Sequence, residues 1–427
     1  MAEIITDADA QYALDIVKTI CAEVGPGLPA TPQERERAEM IKKELESHLG
    51  AENVAVEEFT LAPDAVYSPV PGVLSMLLAI VLNISSGHIT GISPWVTSIA
   101  AVVFSIFTPL LFYLEFILCR EFIDPLFPKR QSINVIGKLR KPGAADAKHL
   151  LILSGHHDSA WEFTWLRFLG YGFYLLAATY IIGMVTILVM SLIRLTGLII
   201  GNAAVVRAGT LGWVLLVYPI IPSIIFALFL TRGRKGGGIV PGAVDNLSAC
   251  AATVAMCRFL VENPAYIPDD TEIRFITFGS EEPFVRGSRR YVKRHLDELK
   301  RLDARLLNYE MIAYPEISII TSDMGGVKHS AEMIKSVVSA AERSGVPYRL
   351  SRPLTPGGGT DSGPFSQAGL KAVTLIPFNS PKQTVAFYHQ KWDTPEVLTI
   401  EPLLNVLKLT FEWVRNSGES EKQPTGS

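Results

Sequence analysis

The sequence predicts an α/β domain with a mixed, mostly parallel central sheet flanked by helices, interrupted by two transmembrane helical hairpins. Three observations carry this expectation. Apolar runs at Leu150–Leu153, Ile273–Phe278 and Leu306–Leu307, with a weaker one at Ile239–Val244, read as buried strands. Each run leads to acids or histidines: His156-His157-Asp158, Glu281-Glu282, Glu310 and Asp245-Asn246 respectively. The third observation is a set of long uncharged stretches. Ala65–Leu114 contains no Asp, Glu, Lys or Arg, and neither do Phe168–Ile193 and Ala208–Thr231.

Taken along the chain, the first 20 residues include Asp7, Asp9, Asp15 and Lys18, which is not the pattern of a cleavable signal peptide. The first hairpin is expected as Val73–Ile92 and Trp95–Leu118, the second as Phe168–Ile193 and Leu211–Thr231. A bilayer span takes roughly 20 apolar residues, whereas globular helices average about 10–14. Glu115 falls near a span end, where a charge reaches the interface. Gly170, Gly172 and Gly183 permit close helix packing. The predicted organisation is a discontinuous domain of residues 1–64, 119–166 and 233–415, hairpins at 65–118 and 167–232, and a polar tail at 416–427 expected to be disordered.

Two hairpins would leave all parts of the discontinuous domain on one side of a cell membrane. Arg120, Lys129, Arg130, Arg167, Arg232, Arg234 and Lys235 lie near the span ends on that side. The opposite connectors offer Arg194 and Arg207. The positive-inside rule then places the domain in the cytoplasm. The net charge of −3 gives no reason to expect a nucleic-acid partner. The basic run from Arg286 to Arg301 is expected as a solvated helix face. Cys250 and Cys257 are expected in a core, and the four cysteines form no CxxC pair.

In an open α/β sheet, loops at the carboxyl ends of strands converge on one crevice. Two imidazoles and several carboxylates meeting there suit two divalent ions such as zinc. Glu310 ends an apolar run, where an acid is costly to bury without a purpose. Tyr388-His389 supplies the second imidazole from the far end of the chain.

The ordered set resembles the co-catalytic di-zinc aminopeptidases of the MH metallopeptidase clan. That family also holds glutamate carboxypeptidase, glutaminyl cyclase and the transferrin-receptor ectodomain. The matching motifs are Gly25-Pro26-Gly27, Thr31-Pro32-Gln33-Glu34-Arg35 with a helix Ala38–Leu49, Gly287-Ser288, Gly359 to Phe365, and Tyr388-His389 with Asp393-Thr394. The resemblance implies a three-layer zinc-exopeptidase-like fold and two zinc ions. It implies His156 and Glu310 on one ion, Glu282 and His389 on the other, and Asp245 between them. It further implies Glu281 as general base, Asp158 orienting His156, Tyr388 supporting the oxyanion, and Asp393 behind His389. The expected substrate is a peptide with a free amino terminus. Phe284 stands where the family often has glycine. His156 and Asp245 are separated by residues 157–244, far more than in the family.

Three functions remain open on the sequence: a membrane-embedded aminopeptidase, another enzyme on the same fold such as a glutaminyl cyclase or amidohydrolase, and a non-catalytic receptor-like binding protein. Few residues separate Asp158 from the span at Phe168, or Arg232 from Asp245. The site is therefore expected near the bilayer, with Trp161, Phe163 and Trp165 in the connecting segment.

Overall fold

Side-chain alternation along the central strand sets the layers of the first unit. The computed structural model describes residues 4–67, 69–85, 91–144, 146–211, 218–225, 238–352, 359–377 and 387–417. Two units emerge: Met1–Pro63, Pro128–Glu162 and Ile239–Ser427 form one, Asp64–Phe127 and Phe163–Gly238 the other.

The first unit holds an eight-stranded sheet in the order β1-β2-β4-β3-β5-β8-β6-β7. In chain order its strands are β1 Val54–Leu61, β2 Arg130–Arg140, β3 His149–His156, β4 Thr271–Phe278, β5 Arg305–Tyr309, β6 Ile317–Ile320, β7 Tyr348–Ser351 and β8 Lys371–Ile376. The centre, β4-β3-β5-β8, is parallel. β1, β2 and β4 pair antiparallel, as do β6 and β8. On β3, Leu151 and Leu153 enter the core shared with helices Asp7–Glu23, Ser248–Glu262 and Ile400–Asn416. Leu150 and Ile152 enter the core under helix Arg286–Arg301 and Phe365. A strand buried on both faces reads as a continuous apolar run, which explains why its sequence is legible. Gly155 permits the close approach at the strand's end: a Cβ there would lie 2.5 Å from the Ala249 side chain.

Two sequence expectations are corrected in this unit. Helix Ala38–Leu49 begins earlier, at Pro32, because Thr31 caps it by accepting from the Glu34 amide and proline suits the first turn. Ile239–Val244 is no strand; Ile239 makes one isolated bridge to Trp161. Beyond it the main chain is held by side chains in place of a ladder. Arg37 takes the Pro241 carbonyl, and Asp393 takes the Val244 and Asp245 amides.

Both interruptions leave and re-enter this unit through paired necks. Leu61 pairs with Arg130 at the first. At the second, Trp161 bridges Ile239 and the Val240 amide donates to the Ala160 carbonyl at 2.9 Å.

The second unit contains helices Pro69–Ser85, Pro94–Phe112, Gly172–Ile199 and Ala203–Leu211. Small polar groups bind these helices together: Ser75 donates to the Phe104 carbonyl, Thr108 to the Gly72 carbonyl, and Asn83 to Ser191. Among the described residues, three helices are long and apolar enough to cross a membrane by length and composition. Pro94–Glu115 and Gly172–Ile199 are each 33% buried over their most apolar window. Ala243–Glu262 is 89% buried, which marks it as a core helix of the first unit. The apolar helix Val70–Ser85 is shorter, and most of the expected span Leu211–Thr231 lies outside the described residues. Arg194 is also corrected. It does not flank a connector, because its helix continues to Ile199. Its buried guanidinium donates to the carbonyls of Leu82 and Asn83 at the end of helix Pro69–Ser85. This satisfies groups that a helix end would otherwise leave orphaned.

Candidate metal centre

Parallel strands deliver three of the acidic loops to one edge of the sheet. β3 ends at His156, β4 leads into Ser280-Glu281-Glu282, and β5 leads into Glu310. Asp245 arrives on a short π turn, Ala243–Leu247, with the Asp245–Asn246 peptide cis. Tyr388 and His389 come from the segment after β8.

The groups meet as two half-sites around one carboxylate. His156 Nε2 lies 3.3 Å from Asp245 Oδ1 and 3.6 Å from Glu310 Oε2. His389 Nε2 lies 3.4 Å from Asp245 Oδ2 and 3.1 Å from Glu282 Oε2. The two oxygens of Asp245 thus face different histidines. One ligand atom each from His156, Asp245 and Glu282 lie within 4.8 Å of one another. Glu281 Oε2 is 3.7 Å from His156 Nε2.

The surrounding groups hold these side chains in place. Asp158 Oδ1 is 3.3 Å from His156 Nδ1, and its two oxygens accept from the Glu281 and Glu282 amides at 3.0 Å each. Glu310 accepts from Asn246 and Asn308. Asp393 accepts from the Val244 and Asp245 amides, holding the Asp245 turn. Phe284 adopts φ 74° and Val285 φ 53°. The turn keeps the left-handed backbone that glycine would take without strain, and these residues hold it at a cost. His157 is buried with Nδ1 3.3 Å from Thr277 Oγ1, away from the cluster as its strand position predicts.

Electrostatics among the protein groups favour cation binding. Burial opposes charge on His389, but Glu282 and Asp245 outweigh it and hold the imidazole up to about 10. Burial pushes Glu281 well above the ordinary carboxyl range, with His156 opposing and Glu310, Asp361 and Glu282 adding to it. Burial also tends to raise Asp245, but hydrogen bonds from His156 and His389 pull it below its usual value. Glu282 Oε1 is buried with no hydrogen-bond partner. Four acids packed around two imidazoles, one with an orphaned oxygen, fit two divalent ions bound by mixed nitrogen and oxygen donors.

Sequence reasoning missed three buried acids or bases near this centre. Glu34 accepts from the Ser280 amide and hydroxyl. Arg37 donates to three carbonyls, including His157. Asp361 is fully buried, and burial pushes it up to about 8 with Glu310 adding and His156 and Ser288 opposing. Glu34 and Asp361 lie inside the matching motifs; Arg37 stands among charged neighbours on its helix.

Tyr388 stacks on His389 with ring centroids 3.9 Å apart. Burial, with Glu282 and Asp245 nearby, keeps its phenol protonated far above its usual range. A protonated phenol beside the ligands can donate to developing negative charge. Tyr388→Phe should therefore lower kcat with little change in KM, as expected for a contact made mainly in the transition state. Steady-state kinetics check this, and unchanged kcat with a raised KM would move Tyr388 to substrate binding.

The sheet's carboxyl edge thus gathers two half-sites of nitrogen and oxygen donors around Asp245. Residues 231–414 match Peptidase family M28. That span takes in Asp245, Glu281, Glu282, Glu310 and His389, while His156 and Asp158 precede the second interruption. The chain is 33% identical over 192 residues to aminopeptidase YwaD of Bacillus subtilis (strain 168), covering 43% of this chain and 39% of that protein. The chain thus matches about two-fifths of that relative's length. Its fold resembles the zinc aminopeptidase BSAP from Bacillus subtilis, with TM-score 0.52, 16% identity, and 95% and 94% of the two chains covered. It also resembles the Acidobacteriales bacterium glutaminyl cyclase, with TM-score 0.54, 12% identity, and 96% and 95% covered.

Proposed function

We propose that the protein is a membrane-embedded di-zinc aminopeptidase. The observation that carries this is the single Asp245 carboxylate turned toward both histidines, with a separate acid, Glu281, beside them. His156 and Glu310 would hold one ion, Glu282 and His389 the other, and Asp245 both. Bound there, the ions polarise the scissile carbonyl and lower the pKa of water. Glu281 takes the proton from the attacking water and returns it to the leaving amine. Asp158 fixes the His156 ring while its carboxylate holds the backbone of Glu281 and Glu282. Tyr388 donates to the oxyanion.

A glutaminyl cyclase of this family needs one zinc, and the His156–Glu310 half would then have no task. A non-catalytic binding protein would have no use for Glu281. Membrane embedding is supported by the exposed apolar faces of the second unit. Leu175, Ile182, Val185 and Val189 line one helix and Val96, Ile99, Val103 and Ile106 another. Such continuous surfaces suit lipid. The basic flanks of the metal-binding unit support a cytoplasmic side for it.

Treating the detergent-purified protein with a chelator should abolish cleavage of peptides with a free amino terminus, and zinc, cobalt or manganese should restore it. Peptides with a blocked amino terminus should resist. Ligation requires a neutral imidazole, and His389 is held up to about 10. Zinc uptake near neutral pH should therefore release protons, and apparent affinity should climb as pH rises toward that value. Full activity in chelated protein would remove the metallopeptidase reading.

A further inference from the structure

Helix Pro32–Leu49 buries two charged side chains one turn apart, Glu34 at 1% exposure and Arg37 at 0%. Residues three apart share a helix face. Both hydrogen-bond to loops that carry the metal-type residues. Glu34 Oε1 accepts from the Ser280 amide at 2.7 Å and its hydroxyl at 2.8 Å, immediately before Glu281-Glu282. Its Oε2 accepts from the Ala30 amide at 2.7 Å. Arg37 Nη1 donates at 3.2 Å to the carbonyl of His157, between His156 and Asp158. Nη2 donates at 2.5 Å to the Pro241 carbonyl, on the segment leading to Asp245. Nε donates at 2.7 Å to the Gly25 carbonyl. The adjoining Gly27 exchanges two hydrogen bonds with Ser159, its amide to the Ser159 hydroxyl and its carbonyl from the Ser159 amide.

Burying a charge is a costly way to fill a core position. A guanidinium adds what an apolar side chain cannot: donors in one rigid plane, shared here by three separate chain segments. Ser280, which Glu34 grips, has φ 52° and opens the strained turn that continues through Phe284 and Val285. Such backbone persists only where its surroundings hold it.

We propose that Glu34 and Arg37 are positioning residues of the metal centre. They fix the mutual spacing of the loops bearing His156, Asp245 and Glu281-Glu282, and through that spacing the affinity for zinc and the placement of the base. The inference rests on the di-zinc reading.

The test titrates zinc into the chelated full-length protein in detergent, against a chromophoric competitor, for wild type, Arg37→Met, Arg37→Lys and Glu34→Gln. Arg35→Ala serves as a control, since Arg35 lies exposed on the same helix and pairs only with Glu58 at the surface. Circular dichroism verifies folding. Both Arg37 variants should lose zinc affinity about 10–100-fold, the usual cost of removing a group that orients ligands. Lysine should not rescue, because an ammonium cannot span three divergent carbonyls. Glu34→Gln should weaken one of the two zinc equivalents and, at saturating zinc, lower kcat while leaving KM near wild type. Arg35→Ala should match wild type. Folded variants with wild-type zinc affinity and kcat would overturn the inference, as would failure of all three to fold, which assigns both residues to the core alone. If Arg37→Met alone fails to fold, Arg37→Lys and Glu34→Gln decide by the same measurements. Wild-type protein that takes up no zinc would instead overturn the di-zinc reading, a result visible before any variant is compared.

Discussion

Replacing Glu281 by glutamine should leave two zinc ions bound and slow peptide cleavage by about 10²–10⁴-fold, the usual contribution of a positioned base. Glu281 and Glu282 are neighbours with equivalent backbone anchoring, since each amide donates to one oxygen of Asp158 at 3.0 Å. Their side chains separate them. Glu282 Oε2 lies 3.1 Å from His389 Nε2 within a half-site. Glu281 Oε2 lies 3.7 Å from His156 Nε2, in the other half, and burial with neighbouring acids raises its proton affinity. Glutamine keeps the size of the side chain and removes the site that takes the proton. Metal analysis with single-turnover kinetics checks both halves. Loss of zinc from Glu281→Gln with retention in Glu282→Gln would reverse the assigned roles.

Asp245→Asn should have the other large effect, emptying both half-sites and taking activity to background. Each Asp245 oxygen faces a different histidine, at 3.3 and 3.4 Å. An amide offers one oxygen and turns a hydrogen-bearing nitrogen toward the other ion. Glu310→Gln or Glu282→Gln should each weaken only one equivalent, because each acid faces one histidine. Zinc content after dialysis distinguishes these cases, and two ions retained in Asp245→Asn would rule out its shared position.

The sequence was most readable where burial is two-sided. β3, β4 and β5 carry apolar runs because both faces pack, so their ends and the acids and histidines beyond them could be placed from residue type. Strands toward the two margins of the sheet were hidden. β1 carries Glu57, Glu58 and Thr60, and β6 and β7 are four residues each, too short for a pattern. The Asp245 turn was misread as a weak strand, since its backbone partners are Asp393 and Arg37, distant in sequence. Glu34 and Arg37 lie in the run Pro32-Gln33-Glu34-Arg35-Glu36-Arg37. Composition cannot separate the buried members of such a run from exposed Arg35. The basic helix Arg286–Arg301 was expected to face solvent, yet Arg290 and Arg294 also reach across to Thr60, Glu57 and Glu58 of β1.

The order of strands in the sheet carries a consequence for how the chain is made. β4 lies between β2 and β3, yet it follows both of them in sequence, beyond the second interruption. During synthesis, at about 5–20 residues per second, the β1–β2 hairpin and β3 emerge with no bond to one another. Both apolar segments, 64–127 and 163–238, leave the ribosome while the sheet still lacks its joining strand. On the membrane-embedded reading, their delivery to a lipid phase would compete with no finished sheet. Only when Thr271–Phe278 arrives do the two halves lock, and His389 joins His156, Asp245 and Glu282 later still.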